Sequence, residues 1–260
     1  MDLGLKDKII IVSGGSEGIG GGISEALAEE GAIPVIATKS QEPTKLLLNR
    51  LQKEGKTAHA IFVDLNDTNN CQRVIDETIN QFGKIDGLVN NAGINDGASL
   101  EKGPSPFRQS IQANLFHYFD LVHFAFPHLK VTKGSIVNIS SKVALTGQGN
   151  TSGYAAAKAA QLGLTREWAV EMLPHGIRVN AILPAEVMTP LYRHWLDSSF
   201  SNPEAKETEI RSRIPLGKRM TTIQEIASTA VFLLSDKAGH TTGQFLSVDG
   251  GYVHLDRAIS

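Results

Sequence analysis

Seven short runs rich in β-branched and other apolar residues punctuate the chain, and longer amphipathic stretches separate them. The runs are IIIV (9–12), PVIA (34–37), AIFV (60–63), GLVN (87–90), SIVNI (135–139), RVNAIL (178–183) and FLSV (245–248). They do not clearly alternate apolar with polar residues, which is the pattern of strands covered on both faces. The stretches between them have helical character, for example GGISEALAEEG (21–31) and TTIQEIASTAVFLLS (221–235). The second opens with Thr222 three residues before Glu225, a capping-box signal. Strand, helix and strand repeated in this way predict an α/β fold: a doubly wound, parallel, seven-stranded sheet with right-handed crossovers and helices on both faces. No linker, repeat or low-complexity segment divides residues 1–260, so one domain is expected. The least regular part is 187–215, with Trp195, Phe200 and mixed charge, and it is expected to be an insertion that covers a site.

Composition narrows the function classes. A formal net charge of −2 offers no electrostatic case for binding nucleic acid or an anionic membrane. Every long uncharged stretch is broken by Gly, Pro or polar residues, so no membrane span is expected. The start, MDLGLKDKIIIVSGG, lacks the cationic and apolar regions of a secretion signal. The single cysteine, Cys71, has no partner set for nucleophilic chemistry and reads as an inert thiol. A cytoplasmic location follows as the default, and no metal site is expected.

The first run leads into SGGSEGIGGGI, which places Gly14, Gly18 and Gly20 in a turn that opens a helix. Glycine lets the backbone turn sharply and approach a pyrophosphate, whose charge then meets the helix N-terminus. The spacing G-x-x-x-G-x-G resembles that of the short-chain dehydrogenase/reductase family, a Rossmann-type fold. Four further segments agree, each after a strand: NNAG (90–93), NISS (138–141), YAAAK (154–158) and VDGG (248–251). The resemblance covers nearly the whole chain and implies an NAD(P)-dependent oxidoreductase. Relatives commonly form homotetramers, which is the assembly expected here, with the tail from Val253 to Ser260 reaching a neighbouring subunit.

The resemblance implies a catalytic set of Asn114, Ser141, Tyr154 and Lys158. Tyr154 and Lys158 are four apart and share a helix face. A free phenol has a pKa near 10, and a neighbouring ammonium is expected to lower it so that Tyr154 can act as a base. Ser141 would hydrogen-bond the substrate oxygen, and Asn114 would support a proton-relay water beside the lysine. Cofactor contacts carried over by position are Ser13, Gly14, Ser16, Glu17, Gly18, Ile19 and Gly20 in the turn, and Asp64 and Leu65 after the third strand. Asn91, Ala92 and Gly93 follow the fourth strand, Pro184, Val187 and Thr189 the sixth, and Tyr154 and Lys158 complete the set. At the end of the second strand an acidic residue would select NAD. Thr38 stands there, with Lys39 and Ser40 placed to hold a 2′-phosphate, while Glu17 argues the other way. The balance favours NADP, with NAD also usable.

The segment PAEVMTP (184–190) puts Glu186 at the mouth of the nicotinamide pocket, where most relatives have Pro-Gly. A buried carboxylate needs a partner. A hydroxyl-rich substrate would supply one; alternatively the charge serves the start of a helix. Lys142, Gln148 and Asn150 in the loop after Ser141, Asn95 beside the nicotinamide segment, and His194 and Trp195 in the covering segment complete a polar set suited to a sugar. KVALTGQGNTSGY, LTREWAV, PAEVMTPLYRHW and HTTGQFLSVDGGYVHLDRA together resemble the bacterial L-fucose dehydrogenase branch of the family. That implies oxidation of the anomeric carbon of a free aldose to its lactone. The alternative is reduction of a small ketone or 3-oxoacyl thioester on the same fold.

Overall fold

The computed structural model describes residues 2–255. Seven strands form one parallel sheet: β1 (Ile9–Ser13), β2 (Ile33–Thr38), β3 (His59–Phe62), β4 (Gly87–Asn90), β5 (Ser135–Ile139), β6 (Arg178–Pro184) and β7 (Phe245–Val248). Their spatial order is β3-β2-β1-β4-β5-β6-β7. Chain order reverses between β1 and β4, where Ile11 pairs with Val35 on one side and Leu88 on the other. A crevice opens at the carboxyl ends of strands at such a switch point.

The unbroken apolar run in β1 is explained by two cores. Ile9 and Ile11 point into one, Ile10 and Val12 into the other. The first core lies beneath α3 (Thr68–Phe82), α5 (His117–Thr132) and α6 (Ser152–Glu171); the second lies beneath α1 (Gly18–Glu29) and α9 (Ile223–Leu234). Helix α9 buries Ile226, Ala230, Leu233 and Leu234 on one stripe. Each large aliphatic side chain there contributes roughly 1.5–3 kcal/mol of burial. Its capping box is formed as the sequence suggests, with the Thr222 hydroxyl accepting from Glu225 N at 3.2 Å and the Glu225 carboxylate accepting from Thr222 N at 2.8 Å. Helix α2 (Gln41–Lys53) covers β2 and β3 at one end of the sheet with Leu47 and Leu51.

One expectation is corrected. Residues 187–215 are mostly helical, forming α7 (Pro190–Ser199) and α8 (Pro203–Ser212). Both start with proline at the first position after a side-chain cap, Thr189 and Asn202 respectively. Their low apolar content hid them, because they bury little: α8 has no buried residue and α7 only Leu196. The Arg193–Glu207 ion pair at 2.6 Å ties the two together. Helix α4 (Pro104–Ile111) leads through one π-helical turn, Gln112–Phe116, into α5. No helix among the described residues is long and apolar enough to cross a membrane. Of the tail, Val253 to Leu255 continue a turn after β7; residues 256–260 lie outside the described residues.

Candidate active site

The glycine turn joins β1 to α1. Gly14 and Gly18 have φ of 63° and 56°, backbone positions that disfavour other residues. Gly20 packs so tightly that a Cβ there would lie 2.2 Å from the Gly14 carbonyl oxygen. Glu17 is the N-cap of α1 but its side chain makes no capping bond, and the first turn holds no acid. The amide groups at this end are therefore offered to the crevice, an arrangement that fits the pyrophosphate of a dinucleotide.

Ser13 is fully buried, and its hydroxyl accepts from Asn91 N (2.9 Å) and Ala92 N (3.1 Å). The Asn91 amide in turn donates to the carbonyls of Ser13 and Gly14. These bonds staple β1 to β4 and shape the cradle that Ser13 and Asn91 line. Ile19 packs against the second core. The Ser16 hydroxyl lies 3.3 Å from that of Thr38, which also accepts from Ser40 N at 3.1 Å. Thr38 is buried at the end of β2, whereas Lys39 is exposed and makes no ion pair among the described residues. Asp64 is exposed and accepts from Asn66 N, while the Leu65 side chain is buried.

Asn114 sits in the π-helical turn and is fully buried. Such turns recur at functional sites. Its side chain accepts from Ile94 N (2.8 Å) and donates to the carbonyls of Ile94 and Ser110. Its own carbonyl accepts from Gln161 at 2.7 Å. Asn114 thus clamps the 93–95 loop, and a Cβ on Gly93 would lie 2.7 Å from its Oδ1. Every polar group of the Asn114 side chain thus has a partner within the protein.

Ser141 caps a short turn after β5 and accepts from Val143 N at 3.3 Å. Tyr154 lies in the first turn of α6. Burial pushes its phenol up to about 12, and a hydrogen bond with Ser141 offsets part of that rise. Lys158, one helical turn later, is buried; its ammonium donates to the Ile139 carbonyl at 2.7 Å and to the Tyr118 hydroxyl at 3.3 Å. Burial pushes the ammonium down to about 7. The Lys158 Nζ is 5.5 Å from the centre of the Tyr154 ring. The expected lowering of the Tyr154 pKa is therefore reversed: in the protein alone, desolvation of the phenolate dominates.

The crevice continues over the end of β6. Pro184 is buried and pairs with Val248. Val187 is buried in the second core, so its side chain is not in the pocket and only its backbone is available there. Thr189 lies against the glycine turn, 3.5 Å from the position a Cβ on Gly18 would take. Glu186 is neither unpaired nor a helix-start charge. One carboxylate oxygen pairs with Lys142, the other accepts from the Tyr192 hydroxyl at 2.6 Å, and α7 begins only at Pro190. The Lys142 and Glu186 side chains are each 11% exposed. The Lys142 Nζ also stands 4.3 Å from the centre of the Tyr252 ring, in a turn held by Asp249, which accepts from Gly251 N and Val253 N. Burial, and then the Glu186 charge, pushes the Tyr192 phenol upward.

Asn95 accepts from Thr151 at 2.5 Å and links the 93–97 loop to the start of α6. Gln148 and Asn150 are exposed, and the hydrogen-bond partners of the Glu186 carboxylate are Lys142 and Tyr192 instead. His194 is exposed on α7. Trp195 is edge-on to Tyr192 (5.2 Å) and Phe200 (5.1 Å), so its ring is held in an aromatic row. Sequence reasoning missed Tyr118, Tyr192 and Tyr252. Tyr192 lies in PAEVMTPLYRHW and Tyr118 four residues after Asn114, and those spacings were the available signal.

The comparisons with known proteins agree with this geometry. A family model described as enoyl-(acyl carrier protein) reductase matches residues 14–253. The L-fucose dehydrogenase of Mus musculus is 37% identical over 248 residues, 94% of this chain and 88% of the relative. A 3-oxoacyl-(acyl-carrier-protein) reductase of Thermotoga maritima is 33% identical over 251 residues, 96% of this chain and 99% of the relative. Among solved structures, Cj0485 dehydrogenase is 48% identical with a TM-score of 0.94, covering 100% of this chain and 99% of that one. The aldohexose dehydrogenase of Thermoplasma acidophilum is 33% identical with a TM-score of 0.88, covering 98% of both chains. The chain belongs to the short-chain dehydrogenase/reductase family of NAD(P)-dependent oxidoreductases.

Proposed function

We propose that the enzyme oxidises the anomeric carbon of a free aldose, such as L-fucose, to the corresponding lactone. The observation that carries this reading is the Lys142–Glu186–Tyr192 chain next to Ser141. It makes one wall of the crevice polar and charged. A carboxylate engaged once at each oxygen still has lone pairs for sugar hydroxyls, and such bonds are charge-assisted. The mouse and Thermoplasma relatives, whose names specify an aldose, support the same class.

In this mechanism Ser141 and Tyr154 hold the anomeric hydroxyl, and the Tyr154 phenolate accepts its proton. Lys158 stabilises that phenolate, and Asn114 fixes the loop against which the reacting groups lie. A nicotinamide held in this crevice would supply the hydride acceptor that oxidation at C1 requires. The glycine turn with Ser16, Gly18 and the α1 N-terminus would hold the pyrophosphate. Asp64 with the backbone of Leu65 would hold the adenine, and Ala92, Gly93, Val187 and Thr189 the nicotinamide half. Lys39 and Ser40, beside a neutral Thr38, favour the 2′-phosphate of NADP, with NAD also accepted. Asn95, Gln148, Asn150, His194 and Trp195 would complete the sugar site as α7 and α8 cover it.

A homotetramer in the cytoplasm completes the proposal. Phe116 and Phe119 are 48% and 52% exposed at the start of α5, and an open groove beside β7 is lined by Leu216, Val248 and Leu255. Such surfaces suit contact between copies. A monomer in light scattering at micromolar concentration would remove that part.

The second reading, reduction of a small ketone or 3-oxoacyl thioester, is favoured by the Thermotoga relative. It requires an acyl chain to lie against the Lys142–Glu186 pair. A plate of free aldoses with NAD⁺ and NADP⁺, beside acetoacetyl thioesters with NADPH, decides by nicotinamide absorbance. Turnover of thioesters and of no aldose rejects the sugar reading.

A further inference from the structure

Tyr118 has a role that packing does not explain. Its ring is fully buried in the core beneath α5, a space phenylalanine would fill equally well. Its hydroxyl, however, lies at the carboxyl end of β5. It donates to the Ile139 carbonyl at 3.0 Å, and the Lys158 ammonium donates to it at 3.3 Å. The same ammonium donates to Ile139 directly at 2.7 Å. Three groups thus close a triangle behind the catalytic helix face.

The surroundings of Lys158 make this contact matter. Tyr118 faces it from α5, Tyr154 from α6 and the Ile139 carbonyl from β5, and His117 is close enough for its titration to feel the lysine charge. No carboxylate pairs with Lys158 among the described residues. A buried ammonium without a counter-charge depends on neutral acceptors to stay charged and in place. Burial holds the Tyr118 phenol well above its usual pKa, so it stays neutral and serves only as an acceptor toward the lysine.

We infer that Tyr118 is a positioning residue for Lys158: its hydroxyl, fixed by Ile139, holds the ammonium where it faces Tyr154. The inference rests on the catalytic assignment of Tyr154 and Lys158 proposed above.

Tyr118→Phe removes one oxygen and leaves Ile139 still bonded to Lys158, so circular dichroism and Tm should stay near wild type. Two measurements then test the role. In the cofactor-free protein, the Lys158 titration, followed by NMR of labelled lysine, should move down by about half a unit or more. With the fastest aldose of the panel, kcat should fall about fivefold to tenfold while KM stays within about twofold. Lys158→Met and the double variant complete a cycle. In the Lys158→Met background, Tyr118→Phe should cost nothing further, because the partner is gone. An unmoved Lys158 titration, or an equal loss in both backgrounds, overturns the inference. If Tyr154→Phe or Lys158→Met keeps normal turnover, the catalytic assignment fails instead, and the titration alone still decides whether Tyr118 holds Lys158.

Discussion

Glu186→Gln separates the structural role of the carboxylate from its proposed role as a sugar ligand. In the folded protein the carboxylate has two partners, Lys142 and Tyr192, and the pair is mostly shielded from water. Glutamine keeps an acceptor for Tyr192 but leaves Lys142 without its counter-charge. Breaking a fully buried pair costs about 3–5 kcal/mol. Here residual exposure and the nearby Tyr252 ring, 4.3 Å from the ammonium, temper the loss. Roughly 1–2 kcal/mol of destabilisation is expected, or roughly 2–4 °C in Tm for a chain of this size. Adding Lys142→Met removes the stranded ammonium and should restore most of that stability. Activity behaves differently if Glu186 binds the sugar. Loss of one charge-assisted bond worth about 1.5–3 kcal/mol should cut kcat/KM about ten- to a hundredfold. The double variant should not recover it. Thermal melts of both variants, with kcat/KM on the best aldose and cofactor binding by fluorescence, give the result. Wild-type kcat/KM in Glu186→Gln would refute the ligand role and leave Glu186 as an anchor between β6, the 142–144 turn and α7.

Four further outcomes follow from the geometry. Tyr154→Phe should lower turnover by about two to three orders of magnitude while cofactor still binds; in the wild type, with the phenol raised to about 12, oxidation should accelerate with pH across the neutral range, and a flat pH profile would show that another group takes the proton. Burial holds Lys158 at a folded pKa of about 7, well below the ordinary range of a lysine, so the unfolded chain binds more protons above pH 7 and this group's penalty on folding is full below pH 7 and relieved as pH rises toward 10. Lys158→Met should therefore gain stability relative to wild type at pH 7 and lose that gain near pH 10 in denaturant titrations; a constant difference would exclude the shift. Thr38→Asp should move preference toward NAD⁺, since a carboxylate repels a 2′-phosphate, and an unchanged ratio of kcat/KM for the two cofactors would show that this position does not face the adenine ribose.

The sheet was legible because each strand carries its own signal. IIIV and SIVNI are buried on both faces and need no neighbour to be recognised, and all seven runs mark strands whose ends differ from them by at most one residue. Helix α9 declared itself through Thr222 and Glu225, which are three residues apart and act locally. Helices α7 and α8 did not, because PLYRHWLDSS and PEAKETEIRS bury almost nothing and their caps, Thr189 and Asn202, stand in loops that look irregular. Amphipathic periodicity reports burial, and a helix that only lies over a crevice has little to report.

The same limit explains the site. Tyr154 and Lys158 share a helix face at a spacing of four, so their proximity could be read from the chain. What that proximity does could not, because their titration depends on residues brought in from β5, α5 and the π-helical turn. Pairwise reasoning assigned the ammonium the larger effect on the phenol, whereas burial of both groups dominates and pushes their pKa values apart, to about 12 and about 7. Glu186 is the parallel case. Its need for a partner was visible, but Lys142 lies 44 residues earlier and Tyr192 on a helix that the sequence hid. A buried charge announces that some partner exists; only the fold says whether that partner is the protein or the substrate. Here the protein supplies two, so any sugar hydroxyl must be a third, added to a carboxylate already oriented, which is the condition under which a charge-assisted bond contributes to binding without first having to order its acceptor.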